Sequence, residues 1–335
     1  MDLAAFSVDG GVIFVGVDEG DGGISIAPTD LAGVAERIEQ IGQASLDPPV
    51  RISTYSIEVE SGRGVVVILI PPSPAAPHMV DGRYRGRGDR TNIVLGDAEV
   101  ARIRGETRSH LDDAVARLRE YAPQAINRRR PQATLLAMVA CPSIPREEMV
   151  LDAAQPEPRK WLAEKLLRGP LTAQQAERYS PDFNSGIPIS PRANGWAIAH
   201  EGDVTDLELE VHEDGVMRLR AGDFDSEDRD NRAFVNDVAI NGLVRRLVQT
   251  AGVLGRECSY LGSWDFALVI APLRGQKSLS LRHSMNGRLP YSEEGYEASV
   301  SATLEQIEDD LDDVHRRLLG RLNRAFGGAN PLVLK

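Results

Sequence analysis

The chain has 335 residues, 42% hydrophobic and 26% charged, an ordinary balance for a globular protein long enough to build two cores. Its 50 acids against 38 lysines and arginines leave a net charge of -12, which excludes generic electrostatic attraction to nucleic acid and confines any such contact to a local basic patch. The two cysteines, Cys141 and Cys258, have no CxxC spacing and no histidine cluster beside them, so neither a disulfide framework nor a zinc site is expected. No apolar run approaches the roughly 18 residues of a membrane span, and Met1-Asp2-Leu3 does not open a signal peptide. A cytoplasmic location without a membrane partner is the expectation.

In chain order, Ala5 to Asp18 reads as a helix end, a Gly10-Gly11 turn and a strand over Val12 to Val17. Because that strand is apolar at nearly every position, burial on both faces is expected, with Asp18 delivered to its mouth. Asp18 to Gly23 is turn-like. Leu31 to Ile41 has the spacing of an amphipathic helix entered through Pro28-Thr29-Asp30. Val50 to Val59 and Val65 to Ile70 form a hairpin, expected inside a mixed sheet. Pro71 to Pro77 is an extended loop that leads into seven arginines between Arg83 and Arg108, set against four acids, Asp89, Asp97, Glu99 and Glu106.

From Asp97 the pattern turns helical, with a break expected near Gly105. Three segments follow from this: a domain over 1–105, a helix and linker over 106–131 containing Arg128-Arg129-Arg130, and a second domain over 132–335. The second domain reads as strands at Ala133 to Ala140, Gly195 to His200, Leu207 to Val211, Gly215 to Arg220 and Trp264 to Ala271. Ser278 to Arg282 is expected to continue its sheet, a helix near Pro158 to Leu167 precedes a loop over 179–194, and long helices cover Val235 to Leu254 and Ala302 to Phe326. The fold class is therefore α+β in both parts, with an antiparallel sheet and flanking helices in the second.

The stretch AFSVDGGVIFVGVDE, the helix after Pro28, DPPV at 47–50, the strand closing on Pro71-Pro72-Ser73 and PHMVDGRYRGRGDRT at 77–91 together resemble the Schlafen-type AlbA-like domain, a nucleic-acid-binding module. The resemblance covers about the first hundred residues. Family members open with a segment carrying paired glutamates and a lysine, and since this sequence starts past it, either a truncated member or a divergent one that lost it is expected. The resemblance implies a regulator or defence component, and it implies a phosphate-contacting arginine at Arg87. In the ribonuclease branch it implies an acidic triad whose aspartate falls at Asp18 and Glu19.

Read from the residues alone, Arg83, Arg85 and Arg87 sit two apart and share one side of an extended segment, a pitch suited to gripping phosphate oxygens, with Arg90 just beyond. The alternative is surface pairing with Asp81, Asp89, Asp97 and Glu99. Asp18 and Glu19 are the weak catalytic candidates, as ligands for Mg²⁺ or Mn²⁺ if the protein is a nuclease; otherwise no cofactor and no metal is expected. No GxxxxGK[ST] or GxGxxG supports nucleotide binding. His78 reads as an exposed loop histidine, Tyr260 and Trp264 as core, and Asp223, Asp225, Asp228 and Asp230 as solvated acids. The expected partner is DNA or RNA, with a homo-oligomer also open. A nuclease using Asp18, or a protein-interaction scaffold without nucleic acid, stand as the alternatives.

Overall fold

The computed structural model describes residues 2–20, 23–50, 52–73, 75–88, 91–122, 133–144, 147–167, 188–201, 206–222, 224–227, 233–260, 262–283 and 290–327. The protein is α+β, and the chain divides into two compact units, Met1–Ser109 and His110–Lys335. No helix among the described residues is long and apolar enough to cross a membrane.

In the first unit, α1 (Asp2–Phe6) leads through a turn at Gly10 into β1 (Gly11–Val15). The hairpin β2 (Val17–Gly20) and β3 (Gly23–Ile26), the short β4 (Thr29–Asp30) and α2 (Val34–Ala44) follow. Then come β5 (Ser53–Glu60) and β6 (Arg63–Ile70). The apolar β6 is the central strand, flanked by β1 and β4 along one side and β5 along the other. All three pairings are antiparallel, so the expected mixed sheet is corrected. The cause is local for β5, which returns directly through a tight turn and cannot pair otherwise. Gly16, at φ +93°, ends β1, and only glycine fits there because a side chain would meet the Gly64 carbonyl oxygen at 2.6 Å.

One face of this sheet packs Ile13, Val15, Val66, Ile68 and Ile70 against α1 and α2. Among the described residues no element covers the other face around Val12, Phe14 and Tyr55. Register places Val12 beside Leu69, and Phe14 and Tyr55 on either side of Val67; Phe14 is 56% and Tyr55 54% exposed. The expectation that β1 is buried on both faces is thus overturned, because the described elements form a layer on only one side of it.

The second unit is built on a seven-stranded antiparallel sheet. Its strands in chain order are β10 (Leu135–Pro142), β11 (Ile189–Arg192), β12 (Gly195–Glu201), β13 (Asp206–His212), β14 (Met217–Ala221), β17 (Ser263–Ala271) and β19 (Tyr296–Thr303). Their spatial order is β11-β12-β13-β14-β10-β17-β19. A three-stranded piece lies apart from it, formed by β15 (Asp225–Glu227), β16 (Ala233–Val235) and β18 (Lys277–Ser278). Ser278 therefore does not continue the main sheet, and β18 pairs parallel with β16.

One face of the large sheet is covered by α6 (Asp237–Glu257) and α8 (Leu311–Ala325), which bury Leu136, Met138, Trp264, Phe266 and Leu268 completely. Each such side chain contributes about 1.5–3 kcal/mol of burial. On the other face Ala114, Leu118 and Tyr121, from the second half of α3 (Asp97–Tyr121), meet Ala137, Val139 and Ala267. Helix α3 runs unbroken through Gly105, where a break was expected. The expected final helix is instead preceded by β19 and divided into α7 (Leu304–Asp309) and α8. Thr303 and Gln306 form a capping box on α7, and the Asp310 carboxylate caps α8 by accepting from Asp313 N–H. Between α3 and the sheet's long helices, α4 (Met149–Ala154) and α5 (Pro158–Leu162) precede a π-helical turn over Ala163–Leu167.

Candidate nucleic-acid interface

The arginine stretch forms a small three-stranded sheet of β7 (Met79–Val80), β8 (Arg83–Arg87) and β9 (Asn92–Val94). Val80 pairs with Arg83, so Asp81-Gly82 is a two-residue hairpin loop, and both residues have positive φ (52° and 71°) as a type I′ turn requires. An Asp-Gly pair is a sequence signal for such a turn, and the extended reading of this stretch passed over it.

His78 anchors the approach to β7. Its ring is fully buried; Nδ1 donates to the Pro48 carbonyl at 2.6 Å, leaving Nε2 to accept from the Ser73 hydroxyl at 2.7 Å. Burial lowers its pKa, outweighing the Pro48 hydrogen bond and the Asp47 charge, so the ring is neutral. The exposed loop histidine expected here is a structural pin, because two distant loop groups converge on it.

Alternation along β8 puts Arg83, Arg85 and Arg87 on one side and Tyr84 and Gly86 on the other. Arg83 is exposed, while Arg85 is half-buried with an Nε that has no hydrogen-bond partner. The Arg87 guanidinium lies 4.1 Å from the Phe6 ring centroid, so an aromatic face holds its position without neutralising it. On the far side, Arg104 donates to the Tyr84 hydroxyl at 2.7 Å and stacks on the ring at 5.2 Å. Gly86 packs closely on this side, where a Cβ would come within 2.5 Å of the Leu95 side chain and push it aside. The strand is thus clamped on its Tyr84 side, with its arginines on the other.

Among the described residues, none of Arg83, Arg85 and Arg87 has a carboxylate partner, Asp81, Asp97 and Glu99 included. Glu99 instead accepts from Gly96 N–H at the start of α3. Arg90 and Asp89 lie outside the described residues, as do Arg128, Arg129 and Arg130. The roles of Phe6 and Arg104 were not visible in the sequence, because each depends on a contact between distant segments.

Asp18 and Glu19 stand on the exposed hairpin β2-β3, opposite Ser25 and Ile24. Asp18 therefore sits on a strand and not in the expected turn. Among the described residues no group of three His, Cys, Asp or Glu gathers to hold a metal.

In the second unit, Trp264 is fully buried and Tyr260 meets it edge-on at 5.7 Å, as core residues do. Asp225 is not a solvated acid: it accepts from Thr134 N–H and hydroxyl at 2.5 and 2.8 Å and from Gln276 at 2.7 Å. Asp223, Asp228 and Asp230 lie outside the described residues. Cys141 and Cys258 are buried and form no disulfide, and burial pushes the Cys141 thiol up to about 12, far from the reactive thiolate range. Comparison with protein-family models, curated proteins and solved structures finds no match to this chain.

Proposed function

We propose that the first unit is a nucleic-acid-binding module of the Schlafen AlbA-like kind, serving a regulator or defence component, with Arg83, Arg85, Arg87 and Arg90 contacting the phosphate backbone. The observation that carries this reading is that Arg83, Arg85 and Arg87 share one side of β8 without a carboxylate partner among the described residues. Guanidinium groups left unneutralised in a chain of net charge -12 form a local site for phosphate oxygens, which they grip bidentately. The Phe6 ring holds the Arg87 guanidinium and the Arg104–Tyr84 stack holds β8, so less side-chain entropy is lost on binding.

The test is fluorescence anisotropy of labelled single-stranded RNA, single-stranded DNA and duplex DNA, with gels of the same samples after adding Mg²⁺ or Mn²⁺. Saturable binding of intact probe supports the proposal. Degraded probe, with turnover lost in Asp18→Ala, would favour the nuclease alternative. A flat signal at low salt rules the module out.

The second reading is a protein-interaction scaffold, favoured by the uncovered apolar face of Val12, Phe14, Tyr55 and Ile57. It predicts a defined oligomer or complex and no nucleic-acid affinity.

A further inference from the structure

The seven-stranded sheet has two unlike edges. β11, at one end, is four residues long and carries Pro191, which offers no N–H. β19, at the other, is eight residues long, has no proline and, among the described residues, pairs only with β17.

Hydrogen bonding fixes which backbone groups of β19 face outward. The Ser263 carbonyl accepts from Ser143 N–H at 2.8 Å on the β10 side, so odd-numbered residues of β17 point toward β10 and even-numbered ones toward β19. Ser263 pairs with Thr303 and Trp264 with Ala302, which turns the odd-numbered residues of β19 away from β17. Thr303 agrees, since its N–H goes to Gln306 Oε1 at 3.0 Å. The Ser301 carbonyl is likewise taken by Arg317 at 2.9 Å. The remaining outward groups, both of Glu297, both of Ser299 and the Ser301 N–H, have no partner among the described residues.

These open rungs lie in a groove of about 360 Å³ walled by Leu118 and Arg119 of α3 and by Arg317 and Arg321 of α8. Arg119 and Arg321 are exposed and have no hydrogen-bond or ion-pair partner among the described residues. Glu297 is the one acid of the lining, and although Arg317 already pairs with Asp313 at 3.9 Å, Arg119 and Arg321 leave the groove with a positive excess.

We propose that this groove takes an extended acidic peptide of a partner protein, which adds to the sheet as a further strand along β19. The open N–H and C=O groups supply the ladder, and the arginines on both walls receive its carboxylates. A second copy of this chain fits less well, because pairing β19 with itself brings two sets of arginines together.

The test uses the full chain with a fluorescein-labelled, capped peptide of alternating glutamate and valine, and its lysine–valine counterpart as control. Saturable binding of the acidic peptide alone is expected, weakened at least tenfold in Arg119→Glu/Arg321→Glu. Ser299→Pro removes an outward N–H without touching the β17 ladder and is expected to weaken binding equally, with thermal unfolding unchanged. The proposal is overturned if the acidic peptide does not bind at about 1 mM, or binds Ser299→Pro as well as wild type. A concentration-dependent dimer that Ser299→Pro dissolves would also overturn it, by giving the edge to a second copy.

Discussion

β1 and β10 are both short apolar runs, yet they end in opposite surroundings. β10 has α6 over one face and the second half of α3 over the other, and Leu136 to Ala140 are completely buried. β1 has α1 and α2 over one face, and on the other Val12 and Phe14 remain 42% and 56% exposed. An apolar strand therefore states what it tolerates on each face and leaves open what covers it. That depends on how many layers the rest of the chain supplies.

Truncating one aromatic ring in each sheet should separate the two sheets by the largest margin. Phe266→Ala should cost about 3–5 kcal/mol, because the ring is fully enclosed and its loss leaves a cavity. Urea unfolding followed by tryptophan fluorescence reads this unit alone, since Trp161, Trp196 and Trp264 all belong to it. A loss below about 1 kcal/mol would mean the large sheet is not sealed on both sides.

Acid should weaken the same unit next. His315 is buried on α8 beside Arg245, and burial and that charge lower its pKa to about 4, against a hydrogen bond to the Asn241 backbone and the nearby Asp312. Its unfolded form takes up a proton near 6.5, so this stabilisation is complete above pH 6.5 and is lost as pH falls toward 4. The loss amounts to roughly 3 kcal/mol. His315→Gln should flatten that part of the pH–stability curve; an unchanged curve would show that the ring is not held neutral.

A smaller effect is expected at the junction of β19 and α7. Thr303→Ala removes the capping hydroxyl from Gln306 N–H and should cost about 1 kcal/mol in the same urea assay. Smallest of all, Phe14→Ser on the uncovered face should shift stability by no more than about 0.5 kcal/mol, read by circular dichroism. A cost near that of Phe266→Ala would mean the face is covered after all, and the contrast between the sheets would fail.

Much of this was legible in the sequence because it is local. The β5-β6 hairpin, the strands over Gly195 to Arg220 and the long helix ending near Leu254 follow from periodicity and turn residues. The shared side of Arg83, Arg85 and Arg87 follows from strand alternation. What stayed hidden needed contacts between distant segments: His78 pinned by Pro48 and Ser73, Asp225 clamped by Thr134 and Gln276, and Arg87 on Phe6. The division of the last helix at Asp310 was missed for another reason, since a cap interrupts the hydrophobic spacing too briefly to register.

If the arginines of β8 contact phosphate as proposed, the salt dependence of binding must show it. Affinity for a single-stranded probe, measured between about 50 and 200 mM salt, should fall along a straight line in logarithmic coordinates, and Arg85→Ala should lower its slope by roughly 0.7–0.9 while weakening binding to all sequences alike. If wild type and Arg85→Ala bind with the same affinity and the same slope, Arg85 touches no phosphate and the account of this interface is wrong.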